Sequence, residues 1–136
     1  MKQPVHSQSL PREAFLRQRW DRIGLGVRLA YNPWYPGVIR CYLQAGALLS
    51  RAGVMPELDV QQRMLQVLLQ TAADPGLPWA WRSACHEHMV FPLARLATLA
   101  RLGLGPAATP WQQRVDACAQ LLDRCRPGAC GPQRPS

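Results

Sequence analysis

The residues most able to do chemistry lie together in the segment CHEHM, which spans Cys85 to Met89. A regular helix advances by about 100° per residue, so His86 and His88 point to opposite sides and cannot bind one metal ion together. Cys85 and His88 share a face, with Met89 beside them. Zinc, iron or haem would need further ligands from another helix. A metal or haem site at Cys85, His88 and Met89 is therefore a hypothesis, and a buried cysteine beside a surface histidine is the simpler interpretation.

The rest of the sequence shows no pattern typical of catalysis. It contains no glycine-rich phosphate loop, no nucleophile elbow and no paired acids at helical ligand spacing. Only eight aspartates and glutamates are present, and several lie at predicted helix starts, where the helix dipole favours negative charge. The sequence therefore does not favour an enzyme. It predicts no cofactor beyond the iron, zinc or haem of the hypothesis above.

The elements that must position these residues are all predicted to be helices. Apolar residues recur at helical spacing between proline and glycine breaks, and no strand pattern is visible. We expect an all-α bundle of four to five helices over residues 11–125, between a flexible leader (1–10) and a disordered tail (126–136). The fourth helix should bend at Pro92, because an interior proline removes one backbone hydrogen bond. The five helices are expected to begin near Pro11, Val38, Pro56 or Asp59, Pro78 and Thr109.

The net charge is +8, from 16 lysines and arginines against eight acids. Part of this charge is concentrated on the first predicted helix, in Arg12, Arg17, Arg19 and Arg22. Such a surface can attract nucleic acid non-specifically. An ordinary solvated helix face explains it more simply, so nucleic-acid binding through this helix and the tail is the less favoured alternative.

The expected location follows from apolar patterning and cysteine content. No apolar run is long enough to span a membrane, and no apolar segment of a secretory signal follows Lys2. We therefore expect a cytoplasmic protein without a membrane partner. The five cysteines are an odd number, and they should stay as thiols in a reducing compartment.

The segment LPWAWR precedes the CHEHM residues on the same predicted helix. Trp79 and Trp81 stand near the helix start, where large rings commonly anchor one helix against another. Arg82 lies one turn into the helix and is expected to pair with an acid such as Asp74 or Asp59. These features predict a structural role for the two tryptophans.

A longer stretch, Leu68 to Leu96, carries a D-x-x-LPW-x-WR turn, then a cysteine, then a PL-x-RL ending. In this pattern the chain resembles the FagA (Fe-associated gene A) family of small bacterial proteins, over roughly residues 12–101. The resemblance implies a product of iron starvation, typically encoded beside a fumarase that needs no iron–sulfur cluster and a manganese superoxide dismutase. It implies no catalytic residue. The matching positions are Asp74, Leu77, Pro78, Trp79, Trp81, Arg82, Cys85, Pro92, Leu93, Arg95 and Leu96.

Together these features predict a non-enzymatic helical protein of the iron-limitation and oxidative-stress response that binds an unidentified protein partner. Two alternatives stay open: a metal- or haem-binding accessory or sensor protein, and a weak nucleic-acid-binding module. The expected interaction motif consists of Trp79, Trp81, Arg82, Pro92 and Arg95.

Overall fold

The computed structural model describes residues 4–128, with side chains from residue 11 onward, and within these residues it contains helices and no strand. Helices α4 and α5 are the two halves of one bent helix, so residues 4–128 form five helices. The predicted all-α bundle is confirmed. The helical segments are α1 (Pro4–Arg28), α2 (Gly37–Arg51), α3 (Glu57–Ala72), α4 (Trp79–His88), α5 (Val90–Arg101) and α6 (Thr109–Cys125).

The first helix begins earlier than predicted, whereas the last helix ends where it was predicted to end. Helix α1 begins at Pro4 rather than near Pro11, so residues 4–10 are helical although a flexible leader was predicted there. Pro11 fits inside the helix because its fixed φ is close to the helical value and only one backbone hydrogen bond is lost. At the other end α6 stops at Cys125, as predicted. Residues 1–3 and 129–136 lie outside the described residues, and the predicted flexibility of leader and tail stays a prediction.

Helix α3 is the centre of the bundle, because it packs against each of the other five helical segments. Its side chains are buried around much of its circumference, which is the pattern expected for a helix surrounded by others. The core therefore has α3 as its axis. The α3 residues with at most 2% exposure are Val60, Met64, Leu65, Leu68, Thr71 and Ala72.

The bend between α4 and α5 lies one turn before Pro92, as a proline bend should. Pro92 has no amide hydrogen to donate to the carbonyl of His88, and its ring crowds that carbonyl. The amide of Met89 donates to the carbonyl of His86 at 3.1 Å, which tightens the helix, and regular bonding resumes from Leu93 to Met89 at 3.0 Å. The predicted bend is confirmed.

Helices α1 and α2 cross closely at two glycines. A Cβ atom on Gly24 would lie 2.8 Å from the ring of Tyr42, and one on Gly46 would lie 3.1 Å from the indole nitrogen of Trp20 and collide with Met64 of α3. The space is taken by Trp20 and Tyr42, whose rings stack with centroids 5.6 Å apart. The crossing therefore needs glycine at both positions.

Candidate functional site

The LPWAWR segment uses its polar side-chain atoms inside the bundle. Each of three side chains donates a hydrogen bond to a carbonyl in the last turn of a different helix, where carbonyls lack a partner within the helix. The segment thereby joins the C-terminal ends of α1, α3 and α6. The three bonds are Trp81 Nε1 to the Val27 carbonyl (2.9 Å), Arg82 Nε to the Ala72 carbonyl (2.8 Å) and Trp79 Nε1 to the Leu122 carbonyl (3.0 Å).

Arg82 has a different partner from the one expected. It is 5% exposed, and its guanidinium lies at the C-terminal end of α3, where the helix dipole favours positive charge. Asp74 pairs instead with Arg28, at 2.8 Å. That hydrogen bond, a second one from the Gly76 amide and the nearby charge of Arg82 hold the pKa of Asp74 below its ordinary value. The expected ion pair between Arg82 and Asp74 or Asp59 is therefore wrong.

Burial divides the expected interaction motif into two groups. Trp81, Arg82 and Pro92 are buried, and the polar atoms of Trp81 and Arg82 bind carbonyls inside the bundle. Trp79 is half-buried, and the guanidinium of Arg126 lies over its ring, 5.6 Å from the centroid. Arg95 is exposed. Of the five motif residues, Arg95 is therefore the one best placed to meet a partner.

The three metal-ligand candidates lie in different surroundings. Cys85 and Met89 are fully buried, and burial raises the pKa of the Cys85 thiol to about 12. The Nδ1 atom of His88 donates to the carbonyl of Ala84 at 2.7 Å, and its ring faces Phe91. Among the described residues, no three histidine, cysteine or acidic side chains are placed to hold a metal ion.

The thiols follow the same division between core and surface. Cys41 and Cys125 are exposed, whereas Cys118 is buried near Cys85, and all four are free. Burial raises the pKa of Cys118 as well. Cys130 lies outside the described residues.

The four arginines of the predicted basic surface are all exposed on α1. Arg12, Arg19 and Arg22 lie within about 80° of one another on one side of the helix, whereas Arg17 is turned by about 140° from Arg12. Three of the four arginines therefore share one side of α1, and nucleic-acid binding through this helix stays a prediction.

A groove that the sequence analysis did not identify runs along α2, between this helix and α3, α4 and α5. It consists of two adjoining cavities of about 430 and 440 Å³, and Leu43, Ala47 and Phe91 line both of them. We call it the α2–α5 groove. Helix α2 contributes Arg40, Leu43, Gln44, Ala47, Ser50 and Arg51. The opposite wall and floor are formed by Glu57, Gln61, Met64, His88, Phe91, Pro92 and Arg95.

The groove follows from a second face of α2. Its lining residues recur every three or four positions from Arg40 to Arg51, which places them on one side of the helix. At 1.5 Å per residue this face is about 16 Å long. The core residues Ile39, Tyr42 and Leu49 lie on the other face of α2. Their apolar periodicity therefore indicates the buried face and not the groove. A signal for the groove was available in the arginines at both ends of an otherwise uncharged helix face.

The charge of the groove is positive. Arg95 makes a bidentate contact with Glu57, with Nε to Oε2 at 2.7 Å and Nη2 to Oε1 at 2.9 Å, and this pair lowers the pKa of Glu57. The ion pairs among the described side chains include neither Arg40 nor Arg51. The groove is thus lined by three arginines and one glutamate, and that glutamate is already paired with Arg95.

A second surface with exposed apolar side chains is the connector between α1 and α2. Trp34 is 78% exposed, and Tyr31 and Tyr35 beside it are also largely exposed. The ring of Tyr35 lies over Gly37, where a Cβ atom would be 3.0 Å away. This surface consists of exposed aromatic rings, whereas the α2–α5 groove is concave.

Comparisons with known proteins returned no matching family model, no matching curated protein and no matching solved structure. Within the described residues, every helix is too short or too polar to cross a bilayer. The molecule is an all-α bundle with a positively charged groove along α2, and this groove is its candidate binding site.

Proposed function

We propose that this chain is a non-enzymatic protein of the iron-limitation response that binds a protein partner in the cytoplasm through the α2–α5 groove. The iron-limitation context rests on the resemblance to the FagA family. The binding role rests on one observation, the continuous groove with an apolar floor and arginines at both ends. Aromatic and arginine side chains are enriched where protein interfaces gain most of their binding energy.

The shape of the groove favours a macromolecular ligand over a small molecule. Phe91, at the point where the two cavities join, is 59% exposed, and the neighbouring Val90 is 57% exposed. Small-molecule sites enclose about 70–90% of a ligand surface, whereas this groove is open along its side. An elongated partner segment can cover both cavities and these exposed apolar side chains together.

The polar groups of the groove favour binding over catalysis. Its single carboxylate, Glu57, is held by two hydrogen bonds from Arg95. A general base must instead be within reach of the proton that it removes. We therefore assign Glu57 and Arg95 to the shape and charge of the groove.

Site-specific photo-cross-linking in cells tests this proposal. A photoreactive phenylalanine analogue at position 91 should give one discrete cross-linked protein, more abundant when an iron chelator is added to the medium. The same analogue at Ala14, exposed on α1, should not. Ala47→Trp should abolish the product by filling the groove, because Ala47 lines both cavities, and Ala14→Trp should have no effect.

Two outcomes would contradict the proposal. A product from position 34 but not from position 91 would place partner binding at the aromatic connector. Absence of any discrete product from both positions would exclude a stable protein partner under iron limitation. Thermal melts of each variant establish that the fold is retained.

A further inference from the structure

The two ends of the α2–α5 groove carry arginines without acidic partners. Arg40 lines one cavity and Arg51 the other, and the two residues are eleven positions apart along α2, about 16 Å. No ion pair involves either side chain among those that the structure describes. Between them the groove is mostly apolar, with Leu43, Ala47 and Phe91 at its centre.

We propose that the occupant of the groove is an amphipathic helical segment of about three turns with a carboxylate near each end. This inference rests on the proposed function and names the chemistry of its partner. Three turns match the distance from Arg40 to Arg51. Apolar anchors spaced by three and four residues meet Leu43, Ala47 and Phe91, and the small side chain of Ala47 lets the partner helix approach closely.

Charge decides between this occupant and neutral or basic ones. A segment that covers Arg40 and Arg51 removes water from both guanidinium groups, and an uncompensated charge is costly to desolvate. Carboxylates at the two ends replace the lost water with charge-assisted hydrogen bonds. Because both arginines are exposed at the ends of the groove, these pairs contribute mainly to specificity and association rate.

The chain itself offers no suitable occupant at its C-terminal end. Residues 126–136 contain two arginines, three prolines and no acid. A second copy of the chain, with its net charge of +8, would bring further positive charge to a positive surface. We therefore expect the groove to be occupied by a segment of a different, acidic protein.

The test uses fluorescein-labelled synthetic peptides and the full-length protein. Three peptides share apolar residues at positions i, i+3, i+4 and i+7 and differ in having glutamate, glutamine or lysine at the flanking positions. Fluorescence anisotropy should show about tenfold tighter binding of the glutamate peptide than of the glutamine peptide, equivalent to about 1.4 kcal/mol. High salt should remove this difference by screening exposed charges. A scrambled glutamate peptide, with no apolar face, should bind weakly.

Charge reversal provides the matched control. Arg40→Glu with Arg51→Glu should abolish the preference for glutamate and favour the lysine peptide. Arg12→Glu with Arg19→Glu changes the net charge equally on α1, away from the groove, and should leave the order of affinities unchanged. Ala47→Trp should weaken binding of every peptide that uses the groove.

The outcomes separate this inference from the proposed function. Equal binding of all three peptides, still blocked by Ala47→Trp, would overturn the acidic occupant and leave the groove as a binding site. Binding that Ala47→Trp does not affect, or no binding of any peptide, would overturn the helical occupant. The cellular cross-link from position 91 reports on the proposed function independently of either result.

Discussion

At the scale of single residues, Trp81 and Arg82 of LPWAWR both fill buried space and donate a hydrogen bond to a backbone carbonyl. The indole ring of Trp81 fills the core at 1% exposure, while its N–H reaches the carbonyl of Val27. A phenylalanine could fill much of the same space but could not donate, so the Val27 carbonyl would keep only its bond from the Ala30 amide, at 3.2 Å. Arg82 similarly supplies both a buried aliphatic stem and a donor for Ala72.

We expect Trp81→Phe to lower the free energy of unfolding by about 1–3 kcal/mol, through the lost hydrogen bond together with the space that the smaller ring leaves unfilled. Trp81→Ala should cost about 3–5 kcal/mol because it also leaves a cavity. Urea unfolding followed by circular dichroism measures both. Trp34→Phe, at a largely exposed tryptophan, is the control and should change stability by less than about 0.5 kcal/mol. Equal effects at positions 34 and 81 would show that the buried hydrogen bond contributes nothing.

At the scale of elements, the crossing of α1 and α2 depends on which glycines meet the neighbouring helix. Gly24 faces the ring of Tyr42, which cannot move away because it is stacked on Trp20. A Cβ atom on Gly26, two residues along the same helix, would lie 3.6 Å from the ring of Tyr31, which is ordinary van der Waals contact. The first glycine is required by packing, and the second is not.

Alanine substitutions at these two positions should therefore have opposite effects. Gly24→Ala should destabilise the protein by about 1–3 kcal/mol, as overpacking does. Gly26→Ala should be neutral or stabilise the protein by up to about 1 kcal/mol, because alanine favours the helix. Thermal melts compare the two variants, and near-ultraviolet circular dichroism reports on the stacked rings. Destabilisation by Gly26→Ala as large as that by Gly24→Ala would contradict the observed crossing.

At the scale of the whole molecule, three of the described ion pairs join segments that are distant in sequence, and two of them lower the pKa of their carboxylates. Arg28 at the end of α1 binds Asp74 after α3, and Arg95 on α5 binds Glu57 at the start of α3. Each arginine lowers the pKa of its carboxylate in the folded state. The folded protein therefore binds fewer protons than the unfolded chain in mildly acidic solution. The stabilisation is complete above the unfolded pKa values and is lost as pH falls through the folded ones.

We expect the unfolding free energy to decline as pH falls below about 4, the range in which unfolded carboxylates titrate. Glu57→Gln should make this decline shallower. Glu87→Gln, at an exposed glutamate outside the ion pairs described, should leave the slope unchanged. Urea unfolding at a series of pH values measures the slope. A steeper decline for Glu57→Gln would contradict the direction of the shift.

The amino-acid sequence by itself determined the features that depend on local interactions. Helical periodicity with proline and glycine breaks was sufficient for the all-α class, and the backbone chemistry of Pro92 was sufficient for the bend. Gly53 adopts a positive φ just after α2, as a glycine at a helix end commonly does. The helical residues 4–10 were missed because Pro11 marks a helix start more often than it occupies an interior position.

Only the tertiary structure decided the features that join distant parts of the chain. Trp81 binds a carbonyl 54 residues away, and sequence spacing carries no information about which helix end is nearest. The α2–α5 groove likewise requires residues of α2 and α5, which are separated in the sequence by α3 and α4, to line one surface. Cys85 and His88 share a helix, yet one is buried in the core and the other lines the groove. Spacing along a helix fixes which residues share a face, and packing of other helices decides what that face contacts.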